Sequence, residues 1–254
     1  AVWDEGFFQE FFELLFGNRD YQKDGAEIAL RFLNSGEYKD ITALAKENFE
    51  KNEVIRARWN NDFSKMQDDL ESSDKLSATL DLATGTGKSY VMFAIALIML
   101  ATKKVSRVLV LVPSRTIERE LTQKFKDLLE NQQLLKTLGQ NFVPPQILNG
   151  DSTIVENSIA IENRDAIYKA QSSRNSIIDS LRGNGEKTLV LNDEVHHVYY
   201  SESNEWKKFL EDERDNGINF KYIIGVTGTA FKGKNKKENE YFSNVIYRFS
   251  LRDA

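Results

Sequence analysis

Apolar residues recur along this chain with two different periods, and the change from one to the other falls near Leu76. Ahead of it, Ala26, Ala29, Leu30 and Leu33 keep helical spacing, and the aromatic-rich opening FFQEFFELLF is helix-compatible too. Residues 36–75 are polar and charged with scattered Ile, Leu, Phe and Trp, which predicts one or two exposed helices in an inserted excursion. Beyond Leu76, short β-like runs alternate with helical ones: LSATLDLA, SRVLVLVP, SIAIEN, TLVLND and YIIGVTGT. The middle runs are nearly all apolar, and strands apolar on both faces predict a parallel sheet covered by helices on each side.

Two of the intervening segments carry helical stripes. Ile117, Leu121, Phe125 and Leu128 form one, and Ile167, Ala170, Ile177, Ile178 and Leu181 a less regular one that Gly183 and Gly185 end. FKGKNKKENE reads as a basic, solvated turn. The expected organisation is an N-terminal helical segment over residues 1–75 followed by an α/β domain over 76–254.

Composition narrows the function classes. With 254 residues and 41% hydrophobic content the chain can bury a sizeable core. Its formal charge of −5 argues against coating nucleic acid through bulk positive charge, although a local basic groove fits inside an acidic total. The absence of cysteine excludes disulfides and thiolate metal sites, and His196 and His197 are adjacent rather than spaced as paired ligands. The longest apolar run, VMFAIALIMLA, is too short for a bilayer, and AVWDEGFF has acids where a signal peptide needs bases. A cytoplasmic protein without membrane contact is expected.

The chemistry concentrates in TLDLATGTGKSYVMF, a β-like run, a glycine loop and a helical run in succession. Leu82 stands where the G-x-x-x-x-G-K-[ST] pattern has its first glycine. Thr84, Gly85, Thr86 and Gly87 still form a loop whose backbone N–H groups can converge on phosphate, with the positive end of the next helix behind them. Lys88 would reach the β and γ phosphates, and Ser89 supplies a hydroxyl for Mg²⁺. The plain alternative is an ordinary Gly-rich turn.

TLVLNDEVHH ends another apolar run in two carboxylates. Asp193 is placed to hold the Mg²⁺ shell and Glu194 to polarise the attacking water. His196 reads either as a sensor between nucleotide and the next strand or as a core or surface histidine. Thr227 and Thr229 in GVTGTA offer short hydroxyls toward those carboxylates. Ser114, Arg115 and Thr116 sit at a strand-to-helix junction, where they can meet a nucleic-acid phosphate or serve merely as an N-cap with a solvated arginine.

In order, ATGTGKS, VLVLVPSRTIERE, NDEVHH and TGTA resemble motifs I, Ia, II and III of the first motor domain of superfamily 2 helicases and translocases. The resemblance implies a P-loop NTPase (RecA-like) fold, and it accommodates Leu82, since members commonly lack that glycine. NRDYQKDGAEIAL resembles the family's Q motif, with Gln22 at the adenine-reading position, which implies ATP. Within the superfamily the motifs and the ending YFSNVIYRFSLRDA look most like the motor subunits of type III and type I restriction enzymes. That likeness implies duplex DNA as the track, a second motor domain beyond Ala254 with the completing arginines, and a methylation or specificity subunit as partner. The resemblance leaves two rivals: a DExH RNA helicase, and a regulatory module that binds nucleotide without turnover. With its completing arginines elsewhere, the chain alone is expected to bind ATP and hydrolyse it weakly.

Overall fold

A computed structural model describes Asp4 and residues 6–83, 85, 87–149, 153–163, 176–193, 205–211, 217–228, 231–232, 240–241 and 244–249. Helices α1 (Gln9–Phe16), α2 (Asp20–Asn34), α3 (Ile41–Lys51), α4 (Glu53–Arg58) and α5 (Phe63–Asp68) precede strand β1 (Leu76–Leu82). Then come α6 (Lys88–Ala101), β2 (Arg107–Val112), α7 (Arg115–Leu129) and α8 (Gln132–Lys136). Strands β3 (Gln146–Asn149), β4 (Ser158–Asn163), β5 (Thr188–Asp193), β6 (Tyr222–Thr227), β7 (Phe231–Lys232), β8 (Glu240–Tyr241) and β9 (Val245–Phe249) complete the β structure, with short helices at Ser176–Leu181 and Glu205–Leu210.

Seven strands form one sheet in the order β3-β4-β2-β5-β6-β1-β9, and every pairing within it is parallel. Strands β1, β2, β4, β5 and β6 are buried almost throughout, as their two-faced apolar character requires. One face carries Leu80, Val110, Ile161, Leu191 and Ile224 in a large core shared with α1, α2, α6 and α7. The other carries Val190 and Ile223 in a smaller core with Ile177 and Leu181 of the 176–181 helix and Phe209 of the 205–210 helix. The α/β architecture with helices on both faces is therefore the one expected.

α6 is apolar on every side, and all ten residues from Val91 to Leu100 are buried. A helix of that kind is stable only with cover all round. The sheet covers one side, and α1 and α2 pack against the rest, through Phe11, Phe12, Phe16, Ala26, Ala29, Leu30 and Leu33. The small residues Ala26 and Ala29 are fully buried on α2.

Residues 36–75 hold three short helices rather than the one or two expected. Their starts are set by Asp40, Asn52 and Asp62, whose side chains accept from Ala43 N, Val54 N and Ser64 N, the usual way of satisfying free N–H groups at a helix start. Although largely exposed, the excursion is anchored by Ile41, Ala45, Met66 and Leu70 in the main core. β3 and β9 were not among the anticipated strands. Both are edge strands, and β9 is only half-buried.

The stripe on α7 is as expected, with Leu121 and Phe125 buried and Ile117 and Leu128 half-buried. Of the second stripe, Ile177, Ile178 and Leu181 are buried, while Ile167 and Ala170 lie outside the described residues, as does most of FKGKNKKENE. No described helix is long and apolar enough to cross a membrane.

Phe93 of α6 and Phe125 of α7 meet edge to face at 5.3 Å between centroids, and both are fully buried. This contact holds the two helices side by side. Phe125→Ala is expected to lower the unfolding free energy by about 3–5 kcal/mol, measured by denaturant titration against the parent.

Candidate functional site

The end of β1 passes through Ala83 into the glycine loop, and the loop delivers the chain to the start of α6. Gly87 is the residue before the helix and has φ +80°, with Gly85 at φ +82°. Both lie in the left-handed region that side chains disfavour, so the loop depends on glycine at these positions. Gln22, in the first turn of α2 and 1% exposed, brings its amide directly against Gly87, where an added Cβ would collide with it. The glutamine thus lies on the loop itself.

Five of the expected residues converge here. Gly85, Gly87, Lys88, Ser89 and Asp193 line one cleft of about 480 Å³, room enough for a polyphosphate, whose far wall is formed by Ile117, Glu120, Leu121 and Lys124 of α7. Lys88 Nζ lies 3.5 Å from Asp193 Oδ1, with both side chains largely buried. β6 lies between β1 and β5, and the ends of these strands place Asp193 beside Val226 in register and Thr227 beside Asp81. Thr227 is fully buried. Thr84, Thr86, Glu194, His196, His197 and Thr229 lie outside the described residues.

Ser114 is the N-cap of α7, its hydroxyl accepting from Ile117 N at 3.3 Å. Ser114, Arg115 and Thr116 are all exposed. Just inside the helix, the buried Glu118 carboxylate accepts from the Asn163 side-chain amide at the end of β4, which fixes that helix end to the sheet. The capping role read from the sequence is present, and the exposure leaves the next residues open to a ligand.

Several neighbours of the site were not anticipated. Lys124 Nζ donates to Ser89 Oγ at 3.1 Å and lies 5.0 Å from the Tyr90 ring centroid. Arg19 reaches the same ring at 4.7 Å while donating to the carbonyls of Phe16 and Leu15 at the end of α1. On the β9 side, Tyr247 Oη donates to Tyr21 O at 2.9 Å and the Tyr21 ring stacks on Phe249 at 4.1 Å. Arg248 Nε lies 3.5 Å from Asp81 Oδ2. Helical spacing from Ile117 to Lys124 could have put Lys124 on the side of α7 facing α6, but nothing local marks it as different from any solvated lysine.

Among the described residues no group of three or more His, Cys, Asp or Glu side chains is arranged to hold a metal ion. Ser89 and Asp193 instead offer one hydroxyl and one carboxylate on the same cleft. This sparse oxygen set suits Mg²⁺, which keeps waters and takes its remaining ligands from phosphates. The glycine cradle, the Lys88 cation and this donor pair fit a magnesium–nucleotide complex.

The family model described as "Type III restriction enzyme, res subunit" matches residues 18–232. The chain belongs to that family. With its all-parallel sheet covered by helices on both faces and a glycine loop leading from β1 into α6, this res-family chain has the α/β architecture of a P-loop NTPase. Similar solved structures include the UvsW helicase from bacteriophage T4, 12% identical, with a TM-score of 0.42 over 74% of this chain and 58% of that one. A second T4 UvsW structure is 14% identical, with a TM-score of 0.41 over 74% and 33%. A nuclease-deletion mutant of the type ISP restriction-modification enzyme LlaGI, in complex with a DNA substrate mimic, is 13% identical, with a TM-score of 0.42 over 84% and 20%. The chain therefore spans 58% or less of these matched chains. No curated protein matches it.

The glycines provide a structural check on the site. Gly85 and Gly87 have nearly equal φ, yet an added Cβ meets nothing within 4 Å at Gly85 and meets the Gln22 amide at Gly87. Gly87→Ala is expected to be more destabilising than Gly85→Ala by about 1 kcal/mol, and adding Gln22→Ala to both should abolish that difference, as read from a double-mutant cycle of thermal unfolding.

Proposed function

We propose that this chain is the ATP-binding half of a DNA translocase motor, and that it works with a second motor domain outside these residues. The observation that carries the reading is the convergence of Gly85, Gly87, Lys88, Ser89 and Asp193 on one cleft, with the Gln22 amide seated on the loop.

The Lys88 ammonium and the Asp193 carboxylate neutralise each other across 3.5 Å. A triphosphate offers Lys88 a stronger anion, and releasing Asp193 frees its oxygens for the water shell of a metal ion. Bound Mg²⁺ would supply charge neutralisation at the phosphates. The Ser89 hydroxyl and Asp193 are the residues that would hold it, while Gly85, Gly87 and the positive end of the α6 dipole would receive phosphate oxygens. Thr84 and Thr86 belong to the same loop. Gln22 reads the adenine edge through its amide, which favours ATP. Glu194, next along the chain from Asp193, orients the attacking water.

Coupling follows from strand order. β6 lies between β1 and β5, so Thr227, with Thr229 and His196, can pass a change at the phosphates to neighbouring segments. Ser114, Arg115 and Thr116 grip a phosphate of duplex DNA without reading its sequence, as a translocase needs. DNA is preferred over RNA because the chain belongs to a restriction-enzyme family. A methylation or specificity subunit and a cytoplasmic setting accord with this reading. With the second domain's arginines elsewhere, hydrolysis by this half alone is weak.

Lys88→Ala in the full-length protein should reduce ATP affinity at least tenfold, measured by titration, and unchanged affinity contradicts the cradle. Glu194→Gln should keep ATP binding and lose turnover by two or more orders of magnitude, roughly the share of a water-orienting group. Steady-state ATPase should rise with duplex DNA rather than RNA; the reverse preference points to an RNA helicase, and a chain that binds ATP with no turnover under any condition points to a regulatory module.

A further inference from the structure

The wall of the cleft opposite the glycine loop belongs to α7, and α7 contributes a cation there. Lys124 Nζ donates to Ser89 Oγ at 3.1 Å, the oxygen that the proposed nucleotide site assigns to the metal. The Lys124 ammonium also lies 5.0 Å from the Tyr90 ring centroid, and the Arg19 guanidinium lies 4.7 Å from the same ring. Glu120, one turn earlier on α7, lines the same cleft.

A hydroxyl oxygen that ligates Mg²⁺ does so at about 2.1 Å. With Lys124 still on that oxygen, a divalent and a monovalent cation would sit within about 5 Å of each other on one shared ligand, a strongly repulsive arrangement at any dielectric found in a protein. The ammonium and the metal therefore compete for Ser89.

We propose that Lys124 is a positioning residue: its ammonium holds the Ser89 hydroxyl and has to leave it when a magnesium–nucleotide complex binds. This inference rests on the nucleotide-site reading above. Its consequence lies along α7, because the helix that gives up the contact is the one whose exposed first residues, Arg115 and Thr116, follow the Ser114 cap.

The test uses the full-length protein and a fluorescent ATP analogue, titrated once with Mg²⁺ and once with EDTA. Lys124→Met keeps an aliphatic side chain of similar length and removes the charge. It should raise the ratio of magnesium-bound to magnesium-free affinity by about fivefold, the low end of coupling between two sites, while Lys124→Arg keeps the parent ratio. An unchanged ratio in Lys124→Met overturns the inference, and so does equal weakening with and without Mg²⁺, which would make Lys124 a phosphate ligand. If the parent binds no nucleotide, or if Lys88→Ala binds as tightly as the parent, the nucleotide-site reading itself falls, which separates the two failures.

Discussion

Ten consecutive apolar residues on α6, Val91 to Leu100, have to be kept from water on all sides. Each of the larger ones contributes about 1.5–3 kcal/mol when buried, so the helix forms only where both its faces are covered. The sheet supplies one cover and α1 with α2 the other. This gives α1 and α2, which precede β1, their structural role. The aromatic opening and the alanine-lined face of α2 are the second half of a sandwich whose filling is the helix that follows the phosphate loop.

That constraint has a functional consequence, because the helix so tightly held is the one whose first residues are Lys88 and Ser89. Its N-terminal N–H groups point where the chain places them, and the Phe93 to Phe125 contact fixes α7 alongside. Positioning the cleft wall therefore takes little more than core packing. The same cover seats Gln22 on Gly87, so the helical segment ahead of the sheet supplies one of the residues of the proposed site.

The core of the sheet was legible because both faces of its strands are apolar, and that signal survives without knowledge of partners. The convergence of the glycine loop and Asp193 on one cleft was legible for a related reason: each sits at the end of such a strand, where glycine or carboxylate breaks an apolar run. What escaped was set by contacts distant in sequence. β9 contains Tyr247 and Arg248, which read as polar interruptions until they meet Tyr21 and Asp81. The three helices of residues 36–75 were blurred by their short length and charge, although Asp40, Asn52 and Asp62 marked their starts. Lys124 acquires its meaning only from Ser89, 35 positions earlier.

Leu82 is where these strands of reasoning meet. The residue occupies the position of a glycine in the general phosphate-loop pattern, and its side chain is fully buried at the end of β1. A Cβ placed on Gly25 of α2 would lie 3.8 Å from Leu82 Cδ2 and 3.3 Å from the Tyr247 ring. The leucine thus fills the space beneath α2 where Gly25 faces the sheet, and Gly25 is small because Leu82 and Tyr247 are not. A glycine at position 82 would leave that space empty, a void of the kind that costs several kcal/mol in a packed core, and would loosen the seat of the first turn of α2. The turn needs glycine at positions 85 and 87, whose φ values of +82° and +80° side chains disfavour, whereas position 82 lies in a buried strand where a leucine fills space beneath α2.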